Sequence, residues 1–243
     1  MYIDRRMIYI VMAIMLISGL ASYFSDVNNL LSLLLSIPGI LLAITFHEFA
    51  HAFAADKLGD DTPRSQGRLT LNPLGHLDPI GTVMLLFARV GWGKPVEVNP
   101  RNYDRRFSMD KADAIVSIAG PLMNFFLAIV LTMIYCLIYK VSGIAFLHSQ
   151  IGTIIMLMLN IAISINVGLG VFNLIPLPPL DGSKVIKPFL PFNAREWFES
   201  NEKIFELIFV ALWIIGILGR IISPVISVLT EGILKLGFAI FGI

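Results

Sequence analysis

The stretch Thr45-Phe46-His47-Glu48-Phe49-Ala50-His51-Ala52-Phe53 decides how the rest of the chain is read. It lies toward the end of an apolar run over residues 30–55. On a helix, residues four apart stand one above the other on the same face. His47 and His51 can therefore offer two imidazoles to one metal ion, with Glu48 beside them to act on water at the metal. Ionisable groups within a membrane span are costly and call for a functional reason. The plain alternative is a histidine pair and a glutamate satisfying one another in a helix bundle. The order and spacing fit a metal site better.

Composition sets the class. Of 243 residues, 56% are hydrophobic and only 14% are charged, whereas a soluble domain averages about 25% charged. This is the profile of an integral membrane protein surrounded by a lipid bilayer. No segment forms a basic surface for nucleic acid. The single cysteine, Cys136, lies in an apolar run and reads as a small core residue. No repeat or low-complexity linker divides the chain, so 1–243 reads as a single polytopic domain.

Hydropathy predicts an all-α protein with about six transmembrane helices. The expected spans are 7–24, 30–55, 112–139, 151–174, 204–219 and 221–242. The first follows Asp4-Arg5-Arg6 and is longer than a signal-peptide core, so it reads as a retained span. Pro38-Gly39 is expected to kink the second. No lysine or arginine occurs over 7–56, whereas Lys57, Arg64, Arg68, Arg89, Lys94, Arg101, Arg105, Arg106 and Lys111 crowd the next loop. The positive-inside rule places that loop in the cytoplasm. Arg5 and Arg6, and later Lys184, Lys187, Arg195 and Lys203, agree. The expected protein is a multi-pass protein of the cell membrane, with both termini inside and the histidine motif near the cytoplasmic face. Arg220, between the last two runs, is the one exception.

Within the basic loop, 68–72 reads as a short strand followed by a turn. Residues 82–90 are apolar but too short to span. Together they predict a cytoplasmic-side β-hairpin or re-entrant segment, tolerated at membrane depth only where protein covers it. Trp92 reads as an interfacial anchor.

A catalytic zinc usually has three protein ligands and an open fourth position. Candidates for the third are Asp181, His76, Asp78 and His148. His148 follows the third span on the outer side, out of reach. Asp181 follows the fourth span on the correct side, after Pro176, Pro178 and Pro179 have ended the helix, and Gly182 suits a sharp turn. Topology favours Asp181, while His76 and Asp78, also on the correct side, stay in contention. His76 reads equally as a gating residue or as part of a turn.

At these residues the chain resembles the site-2 protease family of intramembrane zinc metalloproteases, peptidase family M50. His47-Glu48-Phe49-Ala50-His51 is paired with Asn173-Leu174-Ile175-Pro176-Leu177-Pro178-Pro179-Leu180-Asp181-Gly182. Gly120-Pro121 with Asn124 is similar to a further motif of the family. The stretches 72–82 and 91–96 look like its compact prokaryotic subgroup, without PDZ or CBS domains. The resemblance covers about 30–190 as the catalytic core, with the helices of 204–242 beyond it. It implies Zn2+ held by His47, His51 and Asp181, Glu48 as catalytic base, and hydrolysis of membrane-protein substrates in regulated intramembrane proteolysis. Asn173 is expected to donate to the backbone of an unwound substrate, Asn124 reads equally as such a donor or as a helix–helix hydrogen bond, and Asn160 and Asn166 read as helix packing. Two other classes fit the sequence less well. A metal transporter needs polar groups along a path to the outer face, and none is present. A silent zinc protein that binds helices without cutting them has no need of Glu48.

Overall fold

The computed structural model describes residues 5–88 and 92–243. Asp4 of the N-terminal charged group and residues 89–91, which include Arg89 and Gly91, lie outside the described residues. The described chain is helical throughout: α1 (Arg5–Ser25), α2 (Val27–Lys57), α3 (Thr62–Ser65), α4 (Pro79–Ala88), α5 (Met109–Val141), α6 (Ile144–Leu147), α7 (Gln150–Asn173), α8 (Asp181–Ile186), α9 (Phe192–Ser200), α10 (Glu202–Ile214) and α11 (Ile217–Phe241). Four of these, α2, α5, α7 and α11, are long and apolar enough to cross a membrane.

Local chemistry sets the ends of the long helices. Asp26 caps α2 by accepting from the Asn28 N–H at 2.9 Å. Ser149 caps α7 by accepting from Gly152 at 3.1 Å. The proline cluster stops α7 at Asn173. Gly216 and Gly242 bound α11 with φ of 77° and 65°, a left-handed backbone that glycine adopts without strain.

The centre of the molecule is the mutual packing of α2, α5 and α7, with α11 against α5 and α7. Small residues make this possible. A Cβ on Gly39 of α2 would lie 2.8 Å from the Ala162 Cα of α7, so the two backbones touch. Ala128, Leu131, Ala162, Ile163 and Val167 form the buried core beside that crossing. Leu122, Phe126, Ile129, Ile151 and Leu157 point outward from the same helices. Helices apolar on every face suit lipid on the outside. Cys136 is buried, as its apolar setting suggested.

Three expectations change. The segment 68–72 forms no strand; the pairing lies instead between 76–77 and 93–94, where the Lys94 N–H donates to the His76 carbonyl at 2.8 Å and Leu77 faces Gly93 in a single antiparallel bridge. The turn hydrogen bonds of Asn72 and Pro73 hold that stretch away from a ladder. The apolar part of the loop is the ten-residue helix α4, packed on α1. The expected span over 204–219 is broken at Gly216, and α10 has only 13 residues, about 20 Å against about 30 Å of hydrocarbon.

The ends of the bundle also sort differently from the expected topology. Leu218 and Ile222 at the start of α11 pack with Leu180, Phe172 and Ile175, beside the end of α7. At the far end of α11 the Phe241 carbonyl accepts from Lys140, near the end of α5. The C-terminus therefore lies at the end of the bundle opposite Asp181, not on its side.

Candidate metal centre

His47 and His51 lie on the inward face of α2, with 6% and 9% of their surface exposed. Asp181 opens α8, which packs against α5. Gly182 follows it inside the helix. A Cβ there would lie 2.4 Å from the Leu174 carbonyl and 2.5 Å from that of Ile175. The glycine thus serves close approach to the end of α7, rather than the sharp turn expected of it. That approach brings Asp181 Oδ2 to 3.2 Å from His47 Nε2 and 3.3 Å from His51 Nε2, which are themselves 3.1 Å apart.

The proton positions follow from the partners. His51 Nδ1 lies 2.8 Å from the Val116 carbonyl, which can only accept, so Nδ1 carries the hydrogen and Nε2 a lone pair. His47 Nδ1 lies 2.7 Å from Asn124 Oδ1. The Asn124 amide is oriented by its Nδ2, which donates to the Ala43 carbonyl at 3.0 Å and to Asn166 Oδ1 at 3.1 Å. His47 Nδ1 is then the donor, and its Nε2 also presents a lone pair. With both rings neutral, two imine nitrogens and a carboxylate oxygen with no other hydrogen-bond partner face one another. Three converging lone pairs repel unless a cation joins them. Tetrahedral bonds of about 2.0–2.1 Å set ligand atoms about 3.3–3.4 Å apart, close to the spacing seen here. The donor set of two imidazoles and a carboxylate suits Zn2+.

The wall of this site is glycine. A Cβ on Gly120 of α5 would lie 2.4 Å from His51 Nε2 and 2.7 Å from His47 Cε1. Glu48, next in sequence to His47, accepts from the Val96 N–H at 3.0 Å through Oε2. The loop carrying Val96 is tied by Arg68, 5% exposed, which donates through Nη1 to the Gly75 carbonyl at 2.6 Å and through Nη2 to the Lys94 carbonyl. Gly93 is lodged there too: a Cβ would lie 2.9 Å from Ile44 and 3.5 Å from Glu48 Oε1.

Of the four candidates for the third partner, only Asp181 meets the histidines. His76 is fully buried and bonded through Nε2 to the Thr70 carbonyl at 2.8 Å. Asp78 accepts from the Gly81 N–H at the start of α4 at 2.7 Å. His148 ends α6, beside the far end of α5. The reading of Asn124 as a donor to substrate is corrected: it has no exposed surface, and both amide hydrogens are spent on Ala43 and Asn166. Asn173 keeps one amide hydrogen after donating to the Leu169 carbonyl at 3.1 Å. Asn166, read as packing, belongs to this network. Val96 and Arg68 bear on Glu48 instead, a role that the sequence reading of 91–96 and 68–72 did not give them.

Comparison with known proteins agrees with the cluster. A family model described as Peptidase family M50 matches residues 139–216, the stretch holding Asn173 and Asp181. The chain is 38% identical over 202 residues to the "Putative zinc metalloprotease YwhC" of Bacillus subtilis, covering 83% of this chain and 90% of that relative. It is 31% identical over 196 residues to the "Putative zinc metalloprotease Rip2" of Mycolicibacterium smegmatis, covering 77% of this chain and 69% of the relative. A Mycobacterium tuberculosis protein of the same name is 32% identical over 185 residues, 72% of this chain and 64% of the relative. No solved structure matches the chain. With four membrane-length helices, a His–His–Asp cluster and these relatives, the chain belongs to peptidase family M50, the site-2 protease family of zinc metalloproteases.

Proposed function

We propose that the protein is an intramembrane zinc endopeptidase that hydrolyses peptide bonds within or near transmembrane segments of membrane proteins. His47, His51 and Asp181 hold the zinc, and Glu48 is the general base. The single observation that carries this reading is the convergence of three ligand atoms, two imidazole Nε2 and one carboxylate Oδ2, within 3.3 Å of one another, beside Glu48.

Zinc bound there supplies Lewis acidity, polarising a substrate carbonyl and acidifying water. The chain's own groups do the rest. Glu48 takes the proton of the attacking water and delivers it to the leaving amine. The Val96 N–H holds one carboxylate oxygen, so the other is left for that proton. Asn173, at the end of α7, offers its remaining amide hydrogen to the backbone of an unwound substrate. A cavity of about 920 Å3 along α2, α7 and the start of α11 supports a membrane-segment substrate. It extends from Asn29 and Ser32 to Ile44, one turn ahead of Glu48. The chain acts as one polytopic domain over 1–243 with its core at about 30–190. We place the active site toward the cytoplasmic side, because the basic loops cluster at its end of the bundle. Adding α1 to the four long helices, and leaving α10 at the site end, gives five crossings.

Metal content of the detergent-purified protein tests the reading. About one zinc per chain is expected in wild type, and it should be lost in His47→Ala and Asp181→Ala. Glu48→Gln should keep its zinc and lose cleavage of single-span substrates by at least about 100-fold. An active Glu48→Gln protein would overturn the mechanism. Zinc retained in Asp181→Ala would remove Asp181 from the ligand set.

A further inference from the structure

We infer that the Asn166–Asn124 pair is a tautomer lock: it fixes which nitrogen of His47 faces the metal, and so sets the zinc affinity of the site. This inference rests on the reading of His47 as a zinc ligand.

An asparagine between two polar partners is usually ambiguous, because its oxygen and nitrogen can exchange places. Here two backbone carbonyls remove the ambiguity. The Asn166 Nδ2 donates to the Ala162 carbonyl at 2.9 Å, so its Oδ1 must point the other way, toward Asn124. Asn124 Nδ2 lies between that oxygen and the Ala43 carbonyl, both acceptors, and so must be the nitrogen. Its Oδ1 is left to face His47 Nδ1, which must then be N–H. Each assignment forces the next, from α7 through α5 to α2. The pair has no exposed surface, so water cannot replace either partner.

The two imidazoles are therefore supported differently. His51 leans on the Val116 backbone carbonyl, which no substitution removes. His47 leans on a side chain, and that side chain leans on another. Hydrogen-bond partners of metal-ligating histidines hold ring orientation and basicity, and losing one typically costs about 10–100-fold in metal affinity. Without an acceptor at position 124, Nδ1–H would be buried with no partner. The ring would gain by moving its proton to Nε2, which cannot then bind zinc.

Zinc affinity by competition with a chromophoric chelator, and the visible absorption spectrum of the Co2+-substituted protein, test this without any substrate. Asn124→Leu should weaken zinc about 10–100-fold and change the cobalt spectrum. Asn166→Leu should shift affinity in the same direction by less. The double variant Asn124→Leu/Asn166→Leu should be no weaker than Asn124→Leu alone, since Asn166 acts only through Asn124. Unchanged affinity and spectrum in Asn124→Leu would overturn the inference. A double variant clearly weaker than Asn124→Leu alone would also overturn it, because Asn166 would then act other than through Asn124. A wild-type protein that binds no zinc would instead fail the metal reading itself. Asn166→Leu, one step from the ligand, keeps the test open if Asn124 variants do not fold.

Discussion

At Gly120 an interior helix position that would favour alanine has no room for it. In a helix, alanine is more stable than glycine by about 0.5–1 kcal/mol. Yet a methyl group there would sit 2.4 Å from His51 Nε2. Gly120→Ala should therefore lose most of the zinc, and the clash, about 1–3 kcal/mol, should outweigh the helix-propensity gain and lower the thermal stability of the purified protein. Parallel melting and metal analysis check both signs, and a variant that keeps full zinc would mean that the rings have space to move aside. Residues of this kind explain which parts of the site could be read from the sequence. His47 and His51 are legible because a four-residue spacing has one meaning on a helix. Topology favours Asp181 over His76 and Asp78, but its nearness to the histidines emerges only where the end of α7 lies against Gly182. For Asn124 the sequence leaves both readings open, because it does not say whether a polar residue in a span faces a substrate or a neighbouring helix. Asn166, read as helix packing, does join α7 to α5, through Asn124.

At the scale of elements, the long apolar helices were legible, since hydropathy over about 20 residues fixes them. The short pieces were not. The placement of α4 and the pairing of 76–77 with 93–94 depend on contacts made far along the chain, whereas the break at Gly216 is a local left-handed turn inside an apolar run. The loop after α2 shows how such a segment is held. Asp60 is fully buried and accepts from the Thr62 N–H and Oγ1–H at 3.1 and 2.6 Å, the Asn99 N–H at 2.6 Å and the Asn102 side chain at 2.9 Å. Burial pushes its carboxyl up, but these hydrogen bonds outweigh it and hold it below the usual aspartate range. A depressed folded-state pKa gives stability that is complete above the unfolded value, about 3.9, and is lost as pH falls through the folded value. Amide-exchange protection over 97–103 should therefore be constant from about pH 6 to pH 5 and decline below about pH 4. Asp60→Asn should start lower at pH 6 and lack the Asp60 share of that decline. Equal acid sensitivity in the variant would assign the loss to neighbours such as Asp56 or Asp104.

For the whole molecule, the decisive change from the sequence reading is the side on which the chain ends. Six crossings return the C-terminus to the side of the basic loops, and they leave Arg220 on the wrong side. With α10 too short to cross unaided and the start of α11 packed beside Leu180, Arg220 joins Lys184, Lys187, Arg195 and Lys203 at the site end. Arg220 then no longer departs from the positive-inside rule. At the opposite end, Lys140 caps the Phe241 carbonyl, and cations near a helix C-terminus suit its dipole. The prediction is a C-terminus on the outer face. Alkaline phosphatase fused after Ile243 should be active in a bacterial host, and green fluorescent protein at the same point should be dark. Fusions within 94–106 should give the reverse. A fluorescent, phosphatase-inactive C-terminal fusion would restore an even number of crossings. It would require α10 to cross with the residues beside it, and so to separate from Leu180 and Phe172, the packing that now closes one side of the cavity leading toward Glu48.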